Sequence, residues 1–485
     1  MTIGQPLPRP DGPAKVTGRA RYAADYGAPD LLHAVLVTAT IPAGRVTGIE
    51  AHEALAERGV VRVLTHADMP AFGALGGPPS AQSFMPMQGD EIRHEGQPLA
   101  IVLGETLEAA EAAARRVEVR YERAEAKHPV APAWAALDEV AVAPRKSDFL
   151  FFGSEFTKAD AGAALAGAES SVEAVYLQPS RHHNAMEPSA ILADWDGDFL
   201  TVHDATQHVY GVRQVLAARL GLPVEKVRVI AQHTGGGFGG KGWVWPHEVL
   251  AAAAARIVGC PVKLVLSRAN LYSCLGYQPR MAQKVALGAD GEGRLAAVLH
   301  DVVNLTSVTD DFVEFATEAS RSLYATPSMR LSHRVERANV AMPTPMRAPV
   351  DGPGTWALES AMDELAYRLG IDPLGLRLAN YAEEDPATGE PWSSKKLREA
   401  YEEGARLFGW RERPRNPRRD GDWLIGQGMA SCTMGCFRTP TPRPRSSCEP
   451  MALRSSGPAR RTSAREHSPS SHRSPPTCSG CRPTR

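Results

Sequence analysis

The chain reads as an α+β protein, on three observations. Strand-like and helix-like patterns alternate along most of its 485 residues, as they do where sheets are layered against helices. Short apolar runs such as Val227 to Ile230 and Val262 to Leu266 are bounded by turn residues, the mark of buried strands. Between those two runs, the stretch Gln232-His233-Thr234-Gly235-Gly236-Gly237-Phe238-Gly239-Gly240-Lys241 joins a strand pattern to a helix pattern at Pro246 to Val258.

From the N-terminus, residues 1–16 are proline-rich and predict an extended lead-in. Residues 17–128 form a first α+β block. Leu31 to Thr40 alternates as a strand, Ala51 to Arg58 predicts a short helix, and Gly59 to Leu64 predicts a strand. A Gly/Pro/Ser loop over 71–90 leads to a buried-type strand, Pro98 to Leu103. Thr106 then caps an alanine-rich helix with Ala109, Ala110, Ala113 and Val117 on one face. The alternating Val117 to Tyr121 completes a βαβ-like unit. Residues 129–157, rich in Ala, Pro and charge, predict a linker.

A second block spans 158–425. Val172 to Tyr176 predicts a strand, followed by Arg181-His182-His183-Asn184-Ala185-Met186-Glu187-Pro188. Adjacent histidines point to opposite faces of a strand, and no spaced His or Cys accompanies them, so they make a poor metal pair. A helix from Val212 to Leu220 stops at Gly221 as a left-handed cap. Pro246 opens the next helix, where its missing N–H costs nothing. A proline-laden loop, Met342 to Gly354, precedes a helix from Thr355 to Leu369, and further helices are expected over Asp372 to Asn380 and Ser394 to Phe408. Residues 426–437 begin another unit.

Glycine lets a loop turn sharply and bring successive N–H groups against a ligand, so Gly235 to Gly240 predicts an anion seat assisted by the following helix. No Ser or Thr follows Lys241, which excludes a Walker loop. No acidic residue sits where a dinucleotide fingerprint needs one. Arg347, in a stiff loop before a helix, is suited to bidentate hold of an anionic or carbonyl group.

The formal net charge of −1 gives no whole-chain case for nucleic acid or acidic lipid. No stretch is apolar for long enough to span a bilayer, and Met1 to Pro6 carries no signal-peptide pattern. Only Cys260 and Cys274 occur in the first 430 residues, which argues for a reducing, cytoplasmic compartment, with export to the periplasm on a partner's signal as the alternative. Residues 438–485 change character. From 439 onward, 9 Arg stand against 2 Glu, among 10 Ser and 9 Pro, a composition that predicts disorder. An Arg/Ser nucleic-acid tail and a zinc site at Cys432, Cys436, Cys478 and Cys481 are weaker readings of this segment than an out-of-frame stretch of a GC-rich gene.

Together the motifs resemble the molybdenum-binding large subunit of the xanthine dehydrogenase and aldehyde oxidase family. The resemblance rests on Asp11 to Tyr22, on His94-Glu95-Gly96-Gln97-Pro98-Leu99-Ala100, on Met186-Glu187-Pro188, on Gly235 to Lys241 and on Met346-Arg347-Ala348-Pro349. Trp243 to His247 looks more like the bacterial aldehyde-oxidising type. The resemblance implies an a/b hammerhead domain over 17–128, a first molybdopterin-binding domain over 158–425, and a truncated second one from 426. It implies a molybdopterin cytosine dinucleotide beside Gly236, Gly237, Phe238, Gly239 and Gly240. Gln207 would bond a molybdenum oxygen, and Arg347 would orient substrate and stabilise charge on it. The reaction implied is hydroxylation of an aldehyde or N-heterocycle with oxygen from water. Iron–sulfur clusters and FAD would sit on partner subunits of a heterotrimer. Gly242 stands where purine-oxidising members carry a substrate-holding glutamate. The family's general base belongs to the second cofactor domain, so the chain alone is expected to be inactive. A non-catalytic docking module for an iron–sulfur partner is the alternative.

Overall fold

The computed structural model describes residues 4–75, 81–128, 141–142, 154–414 and 417–433. Its first strands are β1 (Leu32–Thr38), β2 (Gly44–Glu50), β3 (Val60–Leu64), β4 (Glu91–Ile92), β5 (Pro98–Gly104) and β6 (Glu118–Arg123). Then come β7 (Ala141–Val142), β8 (Glu155–Lys158), β9 (Ser170–Gln178), β10 (Ala190–Asp196), β11 (Phe199–Asp204), β12 (Val227–Ile230) and β13 (Val262–Val265). The last long strands are β14 (Met281–Ala289), β15 (Leu295–Ser307) and β16 (Met329–Ala338).

One sheet runs β12-β11-β10-β13-β1-β5-β3 and is built from both halves of the chain. β1 lies parallel to β13, with Leu32 opposite Val262 and Ala34 opposite Leu264. The βαβ-like reading of the first block is corrected here. β5 and β6, joined by the helix Leu107–Ala114, lie in different sheets, since β6 pairs with β2. Their burial explains the split. Every residue of β5 is buried, as in a central strand, whereas β6 alternates between exposed and half-buried positions. Thr106 caps the intervening helix as expected, its hydroxyl accepting from the Ala109 N–H at 3.1 Å.

The helix Pro246–Val258 covers β10 and β13. Ala251, Ala252, Ala254 and Ala255 bring it close to the sheet, while Leu250 packs with Ile191, Leu264 and Trp245. Full burial of a side chain like Leu250 stabilises by about 2 kcal/mol. The helix Val209–Leu220 ends at Gly221 with φ 66°, the left-handed cap.

A second sheet runs β7-β16-β15-β14-β9, with β8 also paired to β16. The end of the linker expected over 129–157 is therefore strand, in β8 (Glu155–Lys158). The helix Asp351–Leu369 lies across β9 and β14, where Leu358, Met362 and Leu365 meet Val285, Leu287 and Val298.

Three further expectations differ from the structure. Gly12–Val16 in the extended lead-in is a short helix, started by Pro13 in its first turn. The helix expected from Thr355 begins at Asp351. Pro353 is tolerated there because first-turn N–H groups have no intrahelical partner, and Gly354 lets the helix approach Ala316, whose carbonyl lies 1.6 Å from where a Cβ would be. Residues 426–433 contain neither helix nor strand. The tail from 434, with Cys436, Cys478 and Cys481, lies outside the described residues. Among the described residues, no group of three or more His, Cys, Asp or Glu is placed to hold a metal, and no helix is long and apolar enough to cross a membrane.

Candidate cofactor seat

The glycine stretch leaves β12 and turns back before the helix Pro246–Val258, so it lies over the sheet at the end of a strand. Its backbone needs glycine in two senses. Gly236 and Gly239 have φ of 96° and 105°, a region that side chains disfavour. Neighbours also fill the space of the missing Cβ. At Gly237 a Cβ would meet the Gln207 amide at 2.4 Å, at Gly239 the Pro345 carbonyl at 2.1 Å, and at Gly240 the His183 ring at 2.8 Å. The glycines thus let the protein's own chain come close. Phe238, between them, also carries a positive φ of 51°, a strain held by its surroundings.

All the expected site segments converge on this loop. Gln207 Oε1 accepts from the Gly239 N–H at 2.9 Å. That bond uses the carbonyl end of the side-chain amide and leaves its NH2 as a donor without a partner among the described residues. The Arg347 N–H donates to the Phe238 carbonyl at 2.8 Å, which fixes the arginine loop against the glycine loop. The Arg347 guanidinium is exposed and takes part in no hydrogen bond or ion pair among the described residues.

The expectation that amides 235 to 240 all face a ligand needs correction. Gly235 N–H donates to Glu187, Gly239 N–H to Gln207 and Gly240 N–H to the Gly237 carbonyl. Gly236, Gly237 and Phe238 donate none of the bonds that hold the loop. A tight loop spends some of its amides on its own geometry.

Sequence reasoning overlooked the residues that support the seat. Glu187, noted only within a motif, forms a buried pair with Lys241, Nζ to Oε2 2.8 Å. His183 bridges two loops, its Nε2 donating to the Pro345 carbonyl at 3.0 Å, and burial lowers its pKa. His182 packs edge-on to Tyr272 at 4.7 Å. Trp245 Nε1 donates to the Gly240 carbonyl at 2.7 Å. On the arginine side, Glu314 Oε1 accepts from the Val350 N–H at 2.5 Å and holds that residue at φ 72°. Burial pushes the Glu314 carboxyl up to about 7. No spacing marks Glu314 in the sequence, whereas Glu187 could have been found as the acid beside a buried lysine.

Beneath the loop lies a layer of fully buried titratable groups. Burial raises Asp204 to about 7, with Lys241 pulling the other way, and burial and Asp204 together raise Glu248. His247 is pushed down to about 3 by burial and by the Lys241 charge. This layer favours neutral acids and a neutral imidazole, as a poorly hydrated interior requires.

With this geometry in view, likeness to known proteins decides the family. Residues 142–381 match the molybdopterin cofactor-binding domain. Residues 17–125 match the aldehyde oxidase and xanthine dehydrogenase a/b hammerhead domain. The chain belongs to the xanthine dehydrogenase and aldehyde oxidase family. It is 36% identical over 436 residues to the aldehyde oxidoreductase molybdenum-binding subunit PaoC of Escherichia coli, covering 88% of this chain and 57% of that one. It is 28% identical over 388 residues to the nicotinate dehydrogenase large molybdopterin subunit of Eubacterium barkeri, covering 78% of this chain and 89% of that one. The aldehyde oxidoreductase of Desulfovibrio gigas superposes with a TM-score of 0.73 at 26% identity, over 83% of this chain and 46% of that one. The chain thus spans little more than half the length of its Escherichia coli relative.

The cofactor implied for this family finds a suitable set of groups. Among the described residues, the amides of Gly236, Gly237 and Phe238, the Gln207 NH2 and the Arg347 guanidinium are donors of this seam that no partner takes up. Such a set suits an anionic group rich in oxygen and would repel a cationic one.

Proposed function

We propose that the chain supplies one side of the molybdopterin cytosine dinucleotide site of an aldehyde-oxidising molybdenum hydroxylase, a complex whose partner subunits carry iron–sulfur clusters and FAD. The observation that carries this reading is the junction of Gln207, Phe238–Gly239 and Arg347 through two bonds of 2.9 and 2.8 Å. When bound, the cofactor would supply the two-electron oxidation of a substrate carbon, with oxygen taken from water.

The chain's own residues have definable parts. Gly236, Gly237 and Phe238 would receive the anionic group with backbone N–H, which needs no side-chain reorganisation. Gln207, fixed at its carbonyl end, would donate through its NH2 to an oxygen of that group. Arg347 would hold a substrate carbonyl oxygen and oppose the charge that develops there. Gly242 brings no carboxylate to the rim. Its N–H donates to Gly239 O and a Cβ there would sit 3.0 Å from that oxygen, so the position favours aldehydes over purines that need a second anchor. The general base and the remaining pterin contacts would come from residues outside those described.

Complementation tests this. Purified alone, the chain is expected to carry no stoichiometric molybdenum and to turn over no aldehyde. It is to be co-expressed with the region that the Escherichia coli relative has beyond the match, together with iron–sulfur and flavin subunits. Molybdenum and acid-released cytidine monophosphate are then expected in equal amounts, with aldehyde oxidation. A stable complex holding neither would overturn the reading and favour a docking module.

A further inference from the structure

The lysine that ends the glycine stretch is not placed to touch a ligand. Lys241 Nζ is turned inward to Glu187, 2.8 Å from Oε2 and 2.9 Å from the backbone carbonyl, and the side chain is only 5% exposed. The same Glu187 Oε2 accepts the Gly235 N–H at 2.7 Å, at the start of the loop. The Lys241 carbonyl accepts the Gln207 N–H at 2.8 Å and the Thr206 hydroxyl at 3.2 Å. Gln207 in turn holds the Gly239 N–H through its side chain. These bonds close a circuit: Gly235 to Glu187, Glu187 to Lys241, Lys241 to Gln207, Gln207 to Gly239. The side chain of one residue therefore secures one end of the loop while its backbone secures the glutamine that secures the other.

We infer that Lys241 and Glu187 are positioning residues, whose buried pair sets where the Gln207 amide and the free amides of Gly236 to Phe238 stand. This rests on the cofactor reading above but makes a separate claim. A buried ion pair gains little net stability over well-packed apolar side chains, because desolvation offsets its attraction. Its value at this place is directional: one bond from Nζ and one from the Gly235 amide meet a single carboxylate oxygen, and a second Nζ bond takes the Glu187 backbone carbonyl. The pair is thus kept for geometry. An anion seat that used Lys241 as a charge would leave Nζ free and Glu187 without a function. Here the charge is cancelled inside the protein, and the seat relies on neutral N–H donors and on Arg347.

Hydrogen exchange on the full chain, read by mass spectrometry, tests this without any metal. Lys241→Met removes the donor at nearly constant length, and Glu187→Gln keeps an acceptor for Gly235 while removing the charge. Peptides over 203–212 and 232–243 are expected to exchange about tenfold faster in Lys241→Met and less than that in Glu187→Gln, while 281–307 stays unchanged. Unchanged exchange at the loop in Lys241→Met would overturn the inference. So would a rise spread evenly over the chain, the result of a merely structural role. If Lys241→Met does not fold, Glu187→Gln decides: a rise confined to the two loop peptides upholds the inference and no rise overturns it. A loosened loop in the variant, with a wild-type complemented complex that takes up no molybdenum, would uphold the positioning role and sink the cofactor reading. In the complemented complex, full molybdenum content in Lys241→Met would sink the positioning role alone.

Discussion

The glycine loop and the arginine loop meet at one seam but are built on opposite plans. The glycine loop is tied down at both ends by side chains: Gly235 by Glu187, Gly239 by Gln207, Gly240 by Trp245. The arginine loop is held through its backbone, by Tyr277 at Thr344, His183 at Pro345, Phe238 at Arg347, Glu314 at Val350 and Gln283 at Pro353, while the Arg347 side chain has no hydrogen-bond or ion-pair partner among the described residues. One plan fixes amides that cannot be steered individually. The other fixes a base and leaves a long cationic arm to adapt. Substitution of the loop glycines should therefore act first on stability, and substitution of the Arg347 side chain on function.

The largest effect is expected from Gly239→Ala. The new methyl would lie 2.1 Å from the Pro345 carbonyl at a φ of 105°, so backbone, not a flexible side chain, must move. A loss of about 3 kcal/mol or more in denaturant unfolding is expected. A loss below about 1 kcal/mol would mean that the seam between the loops is looser than its geometry implies.

Next in size is a pH effect on the arginine loop. Glu314 is wholly buried and titrates near 7 rather than near its usual 4.5. Its folded pKa is raised, so its contribution to stability is complete below about 4.5 and is lost as pH rises through about 7. The loss amounts to about 3 kcal/mol. Glu314→Gln keeps an acceptor for Val350 and removes the titration. Glu318 and Asp204 titrate in the same window, so the measurement is the difference between wild type and variant. The two should match at low pH and diverge in favour of the variant at pH 8. Parallel curves would show that Glu314 titrates in the folded chain as it does in the unfolded one.

Which parts of this were legible in the sequence follows from the kind of signal each part leaves. Gly221, Thr106 and Pro246 were readable because caps and first-turn prolines act within a few residues. The long strand β15 was not. Its face is interrupted by His300, Asn304 and Thr306, all fully buried. Their partners lie on other elements, His300 bonding both Ser320 and Gln283. Alternation scores such residues as exposed, yet they are satisfied within the core. The shared sheet was hidden for a related reason. The register of β1 against β13 joins residues more than two hundred positions apart, and no local pattern encodes that. Gln207 and Arg347 came from motif resemblance, and nothing in their own neighbourhoods places them together. Glu187 and Lys241 stood inside the quoted motifs, but a motif does not say which of its residues face inward.

Arg347→Ala should have the smallest effect on stability and a large one on turnover. The side chain is exposed and holds no partner among the described residues, so its loss should shift unfolding by no more than about 0.5 kcal/mol. The Arg347 N–H, which ties the loop to Phe238, belongs to the backbone and survives the substitution. In a complemented, molybdenum-containing complex, aldehyde oxidation should nonetheless fall about 10²- to 10³-fold, the cost of removing one preorganised donor to a charged oxygen. Arg347→Lys should recover only part of this, because an ammonium cannot present two parallel N–H groups. Equal turnover in Arg347→Ala and wild type, at equal molybdenum content, would move substrate recognition away from the arginine arm. The glycine loop would then be left as the sole contribution of this chain to the site.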